Sequence, residues 1–467
     1  MTRASALWST ILEMGSKKLC VSLTPGILED VFASDVGGVD CVEVRLDYLK
    51  DPKQSKDARW DRLPVPVIAT CRGKERGGLF NGTIEDELEI LEAAVRNGAR
   101  YVDIDYRYAR PLPPADVIAS YHNFEETPVD LVEVVERALT SNGQIAKVAT
   151  QVNSWADNRR LLDLLARPGR KPLIVAGMGD IGQITRIVAP ARGSFLSYAA
   201  STRQAAPGQL TVPEMLDTYK FRRIQRSTKL LGILGMPVGH SLSPLLHNRA
   251  FEFANLDFAY VKLPAPDVRD FMENARAVGL SGFSVTIPHK IAMLPFMSRL
   301  TESAATVGAV NTVSDEDGKW VGDNTDVHGV ESALQSVGFN PQGKKIVIMG
   351  RGGGAKAATA AVRGASTVRV LSRDEVPGAA GSPCDLLINA TPVGMFPKIE
   401  DSPINGNIAA DVVFDMVYNP ATTALLRMAA AQGKTTVPGT RMFFAQAARQ
   451  FEIWTKQPAP REVYAAE

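Results

Sequence analysis

Cysteine and histidine are both scarce in this chain: four cysteines and five histidines in 467 residues. Cys20, Cys41, Cys71 and Cys384 have no paired metal-ligand spacing, and three of them lie in apolar strand-like runs. This excludes a disulfide framework or a cysteine metal cluster and fits buried, reduced thiols in a cytosolic protein. No metal is expected. Charge of one sign is also missing. With Lys+Arg at 52 and Asp+Glu at 51 the formal net charge is +1, which gives no electrostatic reason to expect nucleic acid or an anionic membrane as partner. No apolar run approaches the length of a transmembrane helix. No signal-peptide core precedes the first apolar strand near Leu19. The expected location is the cytoplasm, with the plastid stroma as alternative if a transit peptide has been removed. Internal repeats and low-complexity segments are absent too.

The length leads us to expect two or three domains, and the hydrophobic fraction of 45% is ample for sizeable cores. In the front half, short β-branched or apolar runs recur at 19–23, 39–46, 65–71, 100–105, 116–122, 144–150, 172–177 and 194–199. Helical patterns such as IEDELEILEAAVRNG lie between most of them. The alternation predicts an α/β chain that begins with a closed parallel (β/α)8 barrel of the TIM type. One unit is irregular: a short proline-rich stretch joins Tyr106 to Val117, so the fourth helix is predicted to be lost or stunted. After the fifth strand, Thr127 reads as an N-cap with Pro128 opening the helix and Gly143 following its end.

Such a barrel places its chemistry at the C-terminal ends of the strands. Glu43, Arg45 and Asp47 alternate along the second strand and share a face. Arg72 follows the third strand, and His122, the sole histidine before His240, ends the fifth. Lys147 lies inside the sixth, where strands are covered on both faces, so its amine must be buried or partly buried. Burial favours the uncharged amine, the species that attacks a ketone to form an imine. Taken singly, each residue has a plain reading as a structural histidine, an ion-pair ladder or a lysine in a wet barrel mouth. Their collection at one end of one barrel favours a site.

SYHNF followed by TP, VEVRLD, TCR before a double glycine, the IAK lysine and AAPGQ together resemble type I 3-dehydroquinate dehydratase over roughly residues 18–220. The resemblance implies a Schiff base on Lys147, with His122 removing a proton next to the iminium and then protonating the departing hydroxyl. It implies that Arg186 clamps the substrate carboxylate while Ser22, Glu43, Arg45, Arg72 and Gln209 hold the rest of the substrate. Two positions depart from the family. Arg76 stands where a glutamate precedes the double glycine, with Glu75 before it as a candidate compensator. Ala205 replaces a serine four residues before Gln209.

The basic segment Lys220 to Lys229 has no apolar periodicity and marks the join, so the first domain is expected at 1–225. Beyond it, 226–330 mixes strands and helices, and 331–439 forms a βαβ series. In GHSLSP, Ser243 reads as an N-cap with Pro244 in the first helical position, and Ser241 is free to meet a ligand. In TIPHK, Pro288 is predicted to start a helix with Lys290 in its first turn. A cation there opposes the helix dipole, so stability alone would not select it, and the same field favours loss of its proton. Asp326 either caps the following helix or shares a polar cleft with Asn311, Asn324 and Thr325.

KIVIMGRGGGAKAATAAV reads as a strand, a glycine turn and a helix, the dinucleotide-binding geometry. The next strand ends at Ser372 and Arg373, where a carboxylate would have indicated NAD. Arg373 favours NADP, and the neighbouring Asp374 pulls the other way. The turn lacks the Gly-Lys-Ser/Thr ending of a nucleotide-hydrolase loop.

GHSLSP, SVTIPHK, GAVNTV, NTDVHG, the glycine turn, NATPVGM and FFAQAARQFEIWT occur in the order found in shikimate dehydrogenase, which residues 230–460 closely resemble. The resemblance implies a two-domain unit: a substrate domain at 226–330 with a returning helix at 440–467, and a C-terminal Rossmann NADP domain at 331–439. Ser241, Ser243, Thr286, Asn311 and Gln446 would contact substrate, and Lys290 with Asp326 would relay the proton. Gly350, Gly352, Gly353, Gly354, Ser372, Arg373, Thr391, Tyr418 and Gly439 would line the NADP site. Ser284 replaces the usual asparagine, and Arg351 and Gly354 alter the usual Gly-Ala-Gly-Gly-Ala turn. The two resemblances together imply dehydration of 3-dehydroquinate followed by NADPH-dependent reduction of 3-dehydroshikimate. Two alternatives stand: a quinate-oxidising fusion using NAD, and a metabolite-sensing homologue without turnover.

Overall fold

A computed structural model describes residues 17–167, 171–201, 204–372, 374–376 and 383–465. The chain packs as two compact units, Met1–Lys229 with Asp257–Leu280, and Leu230–Leu256 with Ser281–Glu467. Arg373 lies outside the described residues.

The first unit carries eight parallel strands: β1 (Lys18–Leu23), β2 (Cys41–Arg45), β3 (Val67–Thr70), β4 (Tyr101–Asp105), β5 (Asp116–Asn123), β6 (Ile145–Gln151), β7 (Leu173–Met178) and β8 (Leu196–Ala200). Their order is β7-β6-β5-β4-β3-β2-β1-β8, a nearly closed barrel. Between β7 and β8 the Phe195 N–H donates to the Leu173 carbonyl at 2.9 Å, and the Val175 N–H to Ser194 Oγ at 3.1 Å. All eight expected strands are present, and β4 passes to β5 through turns with no helix.

The barrel interior changes character along its axis. Cys20, Cys41, Ile68, Ile118, Ile145, Ile174, Leu196 and Tyr198 form an apolar plug, with Tyr101 packed against it. Side chains two residues apart on a strand share a face. One step further along, the positions after Cys20, Cys41, Ile68, Tyr101, Ile118 and Ile145 are Ser22, Glu43, Thr70, Asp103, Ser120 and Lys147, all buried. The sequence thus builds a dry floor and a polar ring above it, toward the strand ends where barrel chemistry belongs.

The surrounding helices are fixed by local signals. Thr83 and Asp86 form a reciprocal capping box on the helix Ile84–Arg96, as do Ser154 and Asp157 on the helix Trp155–Asp163. Strand β10 (Phe258–Pro264) and the helix Val268–Asn274 also belong to this unit. The Trp155 and Ala156 N–H groups donate to the Asp270 carboxylate at 2.6 and 3.2 Å, and Trp155 Nε1 donates to the Pro264 carbonyl at 3.1 Å. The expected Thr127 cap is corrected. The helix spans Leu131–Thr140 with Asp130 at its N-cap. Thr127 Oγ1 instead pairs with Thr150 Oγ1 at 2.8 Å and the Gln151 carbonyl at 2.9 Å, tying the loop to β6.

The second unit contains two sheets. In the first, β9 (Lys229–Gly235), β11 (Gly282–Val285), β13 (Thr312–Glu316), β14 (Lys319–Asp323) and β12 (Arg299–Leu300) neighbour one another in that order. In the second, β15 (Lys345–Met349), β16 (Thr367–Leu371), β17 (Cys384–Asn389), β18 (Ala410–Asp415) and β19 (Thr435–Pro438) run parallel in the order β16-β15-β17-β18-β19. The helices Asp326–Gln335, Gly353–Ala361 and Gly439–Thr455 enclose a core of Val330, Leu334, Ile348, Ala358, Phe414 and Met442.

Two expectations here are also corrected. Ser243 is the first residue of the helix Ser243–Phe253, not its cap, and its N–H donates to Ser241 Oγ at 3.3 Å. After Pro288 the chain makes successive turns rather than an α-helix, so the dipole argument for Lys290 lapses.

Candidate active sites

In the barrel, Lys147 is 5% exposed and its amine faces two carboxylates, Asp103 Oδ2 at 2.8 Å and Glu43 Oε1 at 3.8 Å. Its Nζ also lies 4.2 Å from the centre of the Tyr198 ring, a cation–π distance. The amine is buried as its mid-strand position required, with two carboxyl groups and an aromatic ring as its neighbours.

Asp103 is the hub that the sequence reading missed. It also accepts from Arg72 Nη2 at 2.8 Å and Ser120 Oγ at 2.8 Å. Burial alone would raise its carboxyl, but Lys147 and Arg72 hold it well below the usual carboxylate range. A signal existed: the rule that marked a mid-strand lysine as notable applies equally to a mid-strand aspartate in RYVDID.

His122 follows Ser120 on the same face of β5, and in the ladder Ser120 sits opposite Lys147. Burial, reinforced by Arg72 and Lys147, keeps its imidazole well below its ordinary range. The ring is therefore neutral and able to accept a proton. Glu75, the candidate compensator, reaches Arg76 at 3.0 Å, and Arg76 also holds Glu87 at 2.6 Å. The carboxylate in the cluster around His122 is Asp103.

Glu43 accepts from Ser22 Oγ at 2.7 Å and Thr70 Oγ1 at 3.0 Å, and Gln209 Nε2 donates to Ser22 at 3.3 Å. The N–H groups of Ala205 and Ala206 donate to Gln209 Oε1 at 2.7 and 3.1 Å, so the backbone at 205 still holds the glutamine. Arg45 makes a two-pronged pair with Asp47 at 2.9 and 2.7 Å, which leaves it a supporting position beside the ring. Arg186 differs from every other cation here. It is 2% exposed, its Nε has no hydrogen-bond partner, and Nη2 reaches only the Pro207 carbonyl at 3.3 Å. Burial brings its guanidinium down to about 10. Among the described residues no carboxylate lies within ion-pair distance of it. A buried, unpaired guanidinium is costly unless an anion arrives to meet it.

In the second unit Lys290 Nζ meets Asp326 Oδ2 at 2.5 Å, and Asn311 Nδ2 donates to Asp326 Oδ1 at 2.8 Å. Asp326 is the first residue of its helix and caps nothing with its side chain, so the capping reading falls. Asn311 is itself held by Thr312 Oγ1 at 2.7 Å and the Thr325 N–H at 2.8 Å, while Asn324 Oδ1 accepts from the Asp326 N–H at 3.1 Å. Gln450 is a second missed residue: buried, it donates to Thr312 Oγ1 at 3.0 Å and the Asn311 carbonyl at 3.3 Å. It lies one helical turn after Gln446, so the two occupy one helix face. Gln446 Nε2 donates to the Phe443 carbonyl at 3.0 Å. Thr286 packs its methyl under Gly235, where a Cβ would come within 2.4 Å.

The glycine turn fits a dinucleotide. Gly350 takes φ +112°, and a Cβ there would stand 3.0 Å from the Ala390 carbonyl oxygen. Gly352 has nothing within 4 Å of that position, leaving room for a phosphate at the start of the helix Gly353–Ala361. At Gly353 a Cβ would lie 3.1 Å from Lys290 Cδ, so the turn and the lysine stem are in contact. A Cβ on Gly354 would lie 3.3 Å from Met416 Cε. Ser372 follows directly on β16, and its N–H and hydroxyl donate to Glu375. Thr391 bonds Asn389 Oδ1 through its N–H and hydroxyl at 3.0 and 2.7 Å. Tyr418 stacks on Phe443 with centroids 4.3 Å apart. Burial raises its phenol, with Ser241 as a hydrogen-bonding neighbour pulling the other way. A Cβ on Gly439 would come 2.4 Å from the Val417 carbonyl oxygen, so only glycine fits. Among the described residues no cluster of three or more His, Cys, Asp or Glu could hold a metal, and no helix is long and apolar enough to cross a membrane.

A barrel with a buried lysine among carboxylates, joined in one chain to a lysine–aspartate cleft beside a dinucleotide turn, defines a two-centre α/β enzyme. Residues 19–226 match the family model described as type I 3-dehydroquinase. Residues 233–313 match that of the shikimate dehydrogenase substrate binding domain, and 439–464 that of the shikimate 5'-dehydrogenase C-terminal domain. Among curated relatives, the chloroplastic bifunctional 3-dehydroquinate dehydratase/shikimate dehydrogenase of Arabidopsis thaliana is 36% identical over 91% of this chain and 79% of its own length. The shikimate dehydrogenase (NADP(+)) of Citrifermentans bemidjiense is 41% identical over 50% of this chain and 91% of its own. A solved structure of the dehydroquinate dehydratase and shikimate dehydrogenase from S. pombe AroM is 24% identical, covers 98% of this chain and 99% of its own, and has a TM-score of 0.40. The chain belongs to the family of bifunctional 3-dehydroquinate dehydratase/shikimate dehydrogenases.

Proposed function

We propose that the chain dehydrates 3-dehydroquinate to 3-dehydroshikimate in its barrel and reduces 3-dehydroshikimate to shikimate with NADPH in its second unit. The division of labour follows three domains: 1–225, 226–330 with the returning helix 440–467, and 331–439. The observation that carries the first step is a buried amine and a neutral imidazole on adjacent strands, Lys147 opposite Ser120 and His122 two residues beyond it.

Lys147 attacks the substrate ketone as the free amine, the proton it sheds departs with the expelled water, and a protonated imine results. The iminium withdraws electrons from the adjacent carbon, and His122 takes the proton released there. The resulting enamine expels the neighbouring hydroxyl, which leaves as water on receiving that proton from His122. Hydrolysis of the imine frees the product and the amine. Arg186, buried without an anion, receives the substrate carboxylate, while Ser22, Glu43, Arg72 and Gln209 face the hydroxyls and Arg45 braces the ring through Asp47.

In the second unit Ser241, Ser243, Thr286, Asn311 and Gln446 hold the substrate. The turn Gly350–Gly354, with Ser372, Arg373, Thr391, Tyr418 and Gly439, would hold the dinucleotide, which when bound supplies the hydride. Lys290 gives a proton to the substrate oxygen, and Asp326, fixed by Asn311, orients the ammonium. The partners are these small molecules. A cytoplasmic location is our reading, and the chloroplastic relative makes the plastid stroma the alternative.

The test is shikimate appearance from 3-dehydroquinate and NADPH with the full chain, followed in an Arg186→Gln variant. Loss of one charged contact should weaken substrate by about tenfold to a hundredfold in the first step. The second step, assayed from 3-dehydroshikimate, should be unchanged. An unaltered KM for 3-dehydroquinate would remove the carboxylate role.

A further inference from the structure

Within the nucleotide turn, Arg351 is an unusual residue with a specific neighbour. Its Nη2 lies 3.1 Å from Glu375 Oε2, and the same oxygen accepts from the Ser372 N–H at 2.7 Å and Ser372 Oγ at 2.6 Å. Three donors thus converge on one carboxylate oxygen. The sheet register brings them together: Met349 pairs with Leu371, and the Gly350 N–H donates to the Leu371 carbonyl at 2.9 Å. Arg351 therefore leaves β15 beside the end of β16.

The arrangement contributes little to the fold. Both side chains are more than half exposed, and surface ion pairs of this kind stabilise by about 0–1 kcal/mol. Its place is what matters. In a doubly wound sheet the end of the second strand meets the adenosine ribose, where a carboxylate accepts from the 2′-hydroxyl or a cation meets a 2′-phosphate. Here both are present and they neutralise each other. A phosphomonoester, with up to two negative charges and three acceptor oxygens, is better matched to a guanidinium, a hydroxyl and an N–H than a single carboxylate is.

We propose that Arg351 and Ser372 form the subsite for the 2′-phosphate of the dinucleotide, and that Glu375 is an intramolecular competitor displaced when a 2′-phosphomonoester binds. The proposal rests on the NADP reading and deepens it. It makes cofactor choice depend on the second residue of the glycine turn as well as on the end of β16. It also assigns Glu375 the role of weakening NADP binding rather than accepting a ribose hydroxyl.

The experiment is calorimetric titration of the full chain with adenosine 2′,5′-bisphosphate and, separately, adenosine 5′-monophosphate, so that no turnover is read. Arg351→Ala should weaken the bisphosphate by about tenfold to a hundredfold and leave the monophosphate unchanged. Glu375→Gln should tighten the bisphosphate by about threefold to tenfold, again without moving the monophosphate. Equal effects of Arg351→Ala on both probes, or none on either, overturn the subsite. Weakened monophosphate binding in Glu375→Gln overturns the competitor role and makes the carboxylate a ribose ligand. If the unaltered chain binds the bisphosphate no tighter than the monophosphate, the NADP reading itself fails. If it binds it tighter and Arg351→Ala keeps that preference, only the present inference fails.

Discussion

Each unit contains a buried or partly buried lysine–aspartate pair in its candidate site, and the two pairs are held differently. Lys147 is buried inside a nearly closed barrel, and its aspartate is shared with Arg72 and Ser120. Lys290 stands on an irregular turn, 19% exposed at its side chain, and its aspartate is steadied by one neutral amide from Asn311. In the proposed role Lys147 must be released from its carboxylate, and Arg72 and Ser120 would keep Asp103 satisfied once the lysine has reacted. In the proposed role Lys290 donates a proton, and its partly exposed side chain leaves it open to resupply from solvent. On the proposed reading the same two residue types serve as a Schiff-base amine in one setting and an acid in the other, and what differs in the structure is what else holds the carboxylate.

Exchange of the lysines should break the comparison most sharply. Lys147→Ala should reduce dehydration by about four orders of magnitude or more, since no other amine replaces the covalent step. Borohydride with 3-dehydroquinate should then leave the chain mass unchanged, while reduction of 3-dehydroshikimate proceeds as before. Lys290→Ala should do the reverse with a smaller loss, about two to four orders, because a positioned acid contributes that much. Loss of both activities in either variant would mean that the pairs hold the fold rather than the chemistry.

The aspartates sharpen the point. Asp103→Asn keeps the shape but removes the charge that positions Lys147 and Arg72, and dehydration should fall by about two orders of magnitude through misplacement of the amine. Trapping by borohydride should slow in parallel, a change that a purely structural role would not cause in a chain with an unaltered melting curve.

Histidines give a gentler contrast. His122 and His247 are both held neutral by burial, His247 down to about 3, yet only His122 lies in a site. His247 is fully buried, with its Nδ1 2.9 Å from the Tyr464 hydroxyl and its ring against Phe251 and Trp454. Above about pH 6.5 neither folded nor unfolded chain is charged at this ring. As pH falls below that value the unfolded chain takes up a proton the folded ring refuses, and stability declines until about pH 3. At pH 5 this ring should cost about 2 kcal/mol relative to neutrality. Urea unfolding of His247→Phe should start from a lower stability at pH 7, because the Tyr464 contact is lost, but change less between pH 7 and pH 5. An equal change in both proteins would place the acid sensitivity elsewhere.

The sequence made the strands legible because parallel strands buried on both faces leave continuous apolar runs, and polar residues interrupting such runs stand out. Lys147 and Glu43 stand out that way, and His122 stands out as a lone histidine at a strand end. Asp103 was passed over although it interrupts β4 in the same manner, and Gln450 was invisible because a buried glutamine on a helix has no periodic signature of its own. The stretch after Pro288 was misread as a helix because proline marks helix starts and turns alike. Caps were the weakest part, since a threonine before a proline bonds whatever acceptor the tertiary fold brings near.

Thr127 offers a small test of that last point. If its hydroxyl capped the helix, Thr127→Val would loosen residues 131–134. Because the hydroxyl meets Thr150 and the Gln151 carbonyl, the loss should appear at the end of β6 instead. The cost should be about 1 kcal/mol, the ordinary contribution of one buried hydrogen bond. Amide hydrogen exchange should quicken at residues 150–152 and stay unchanged at 131–134. Faster exchange confined to the helix start would restore the capping role that the sequence suggested.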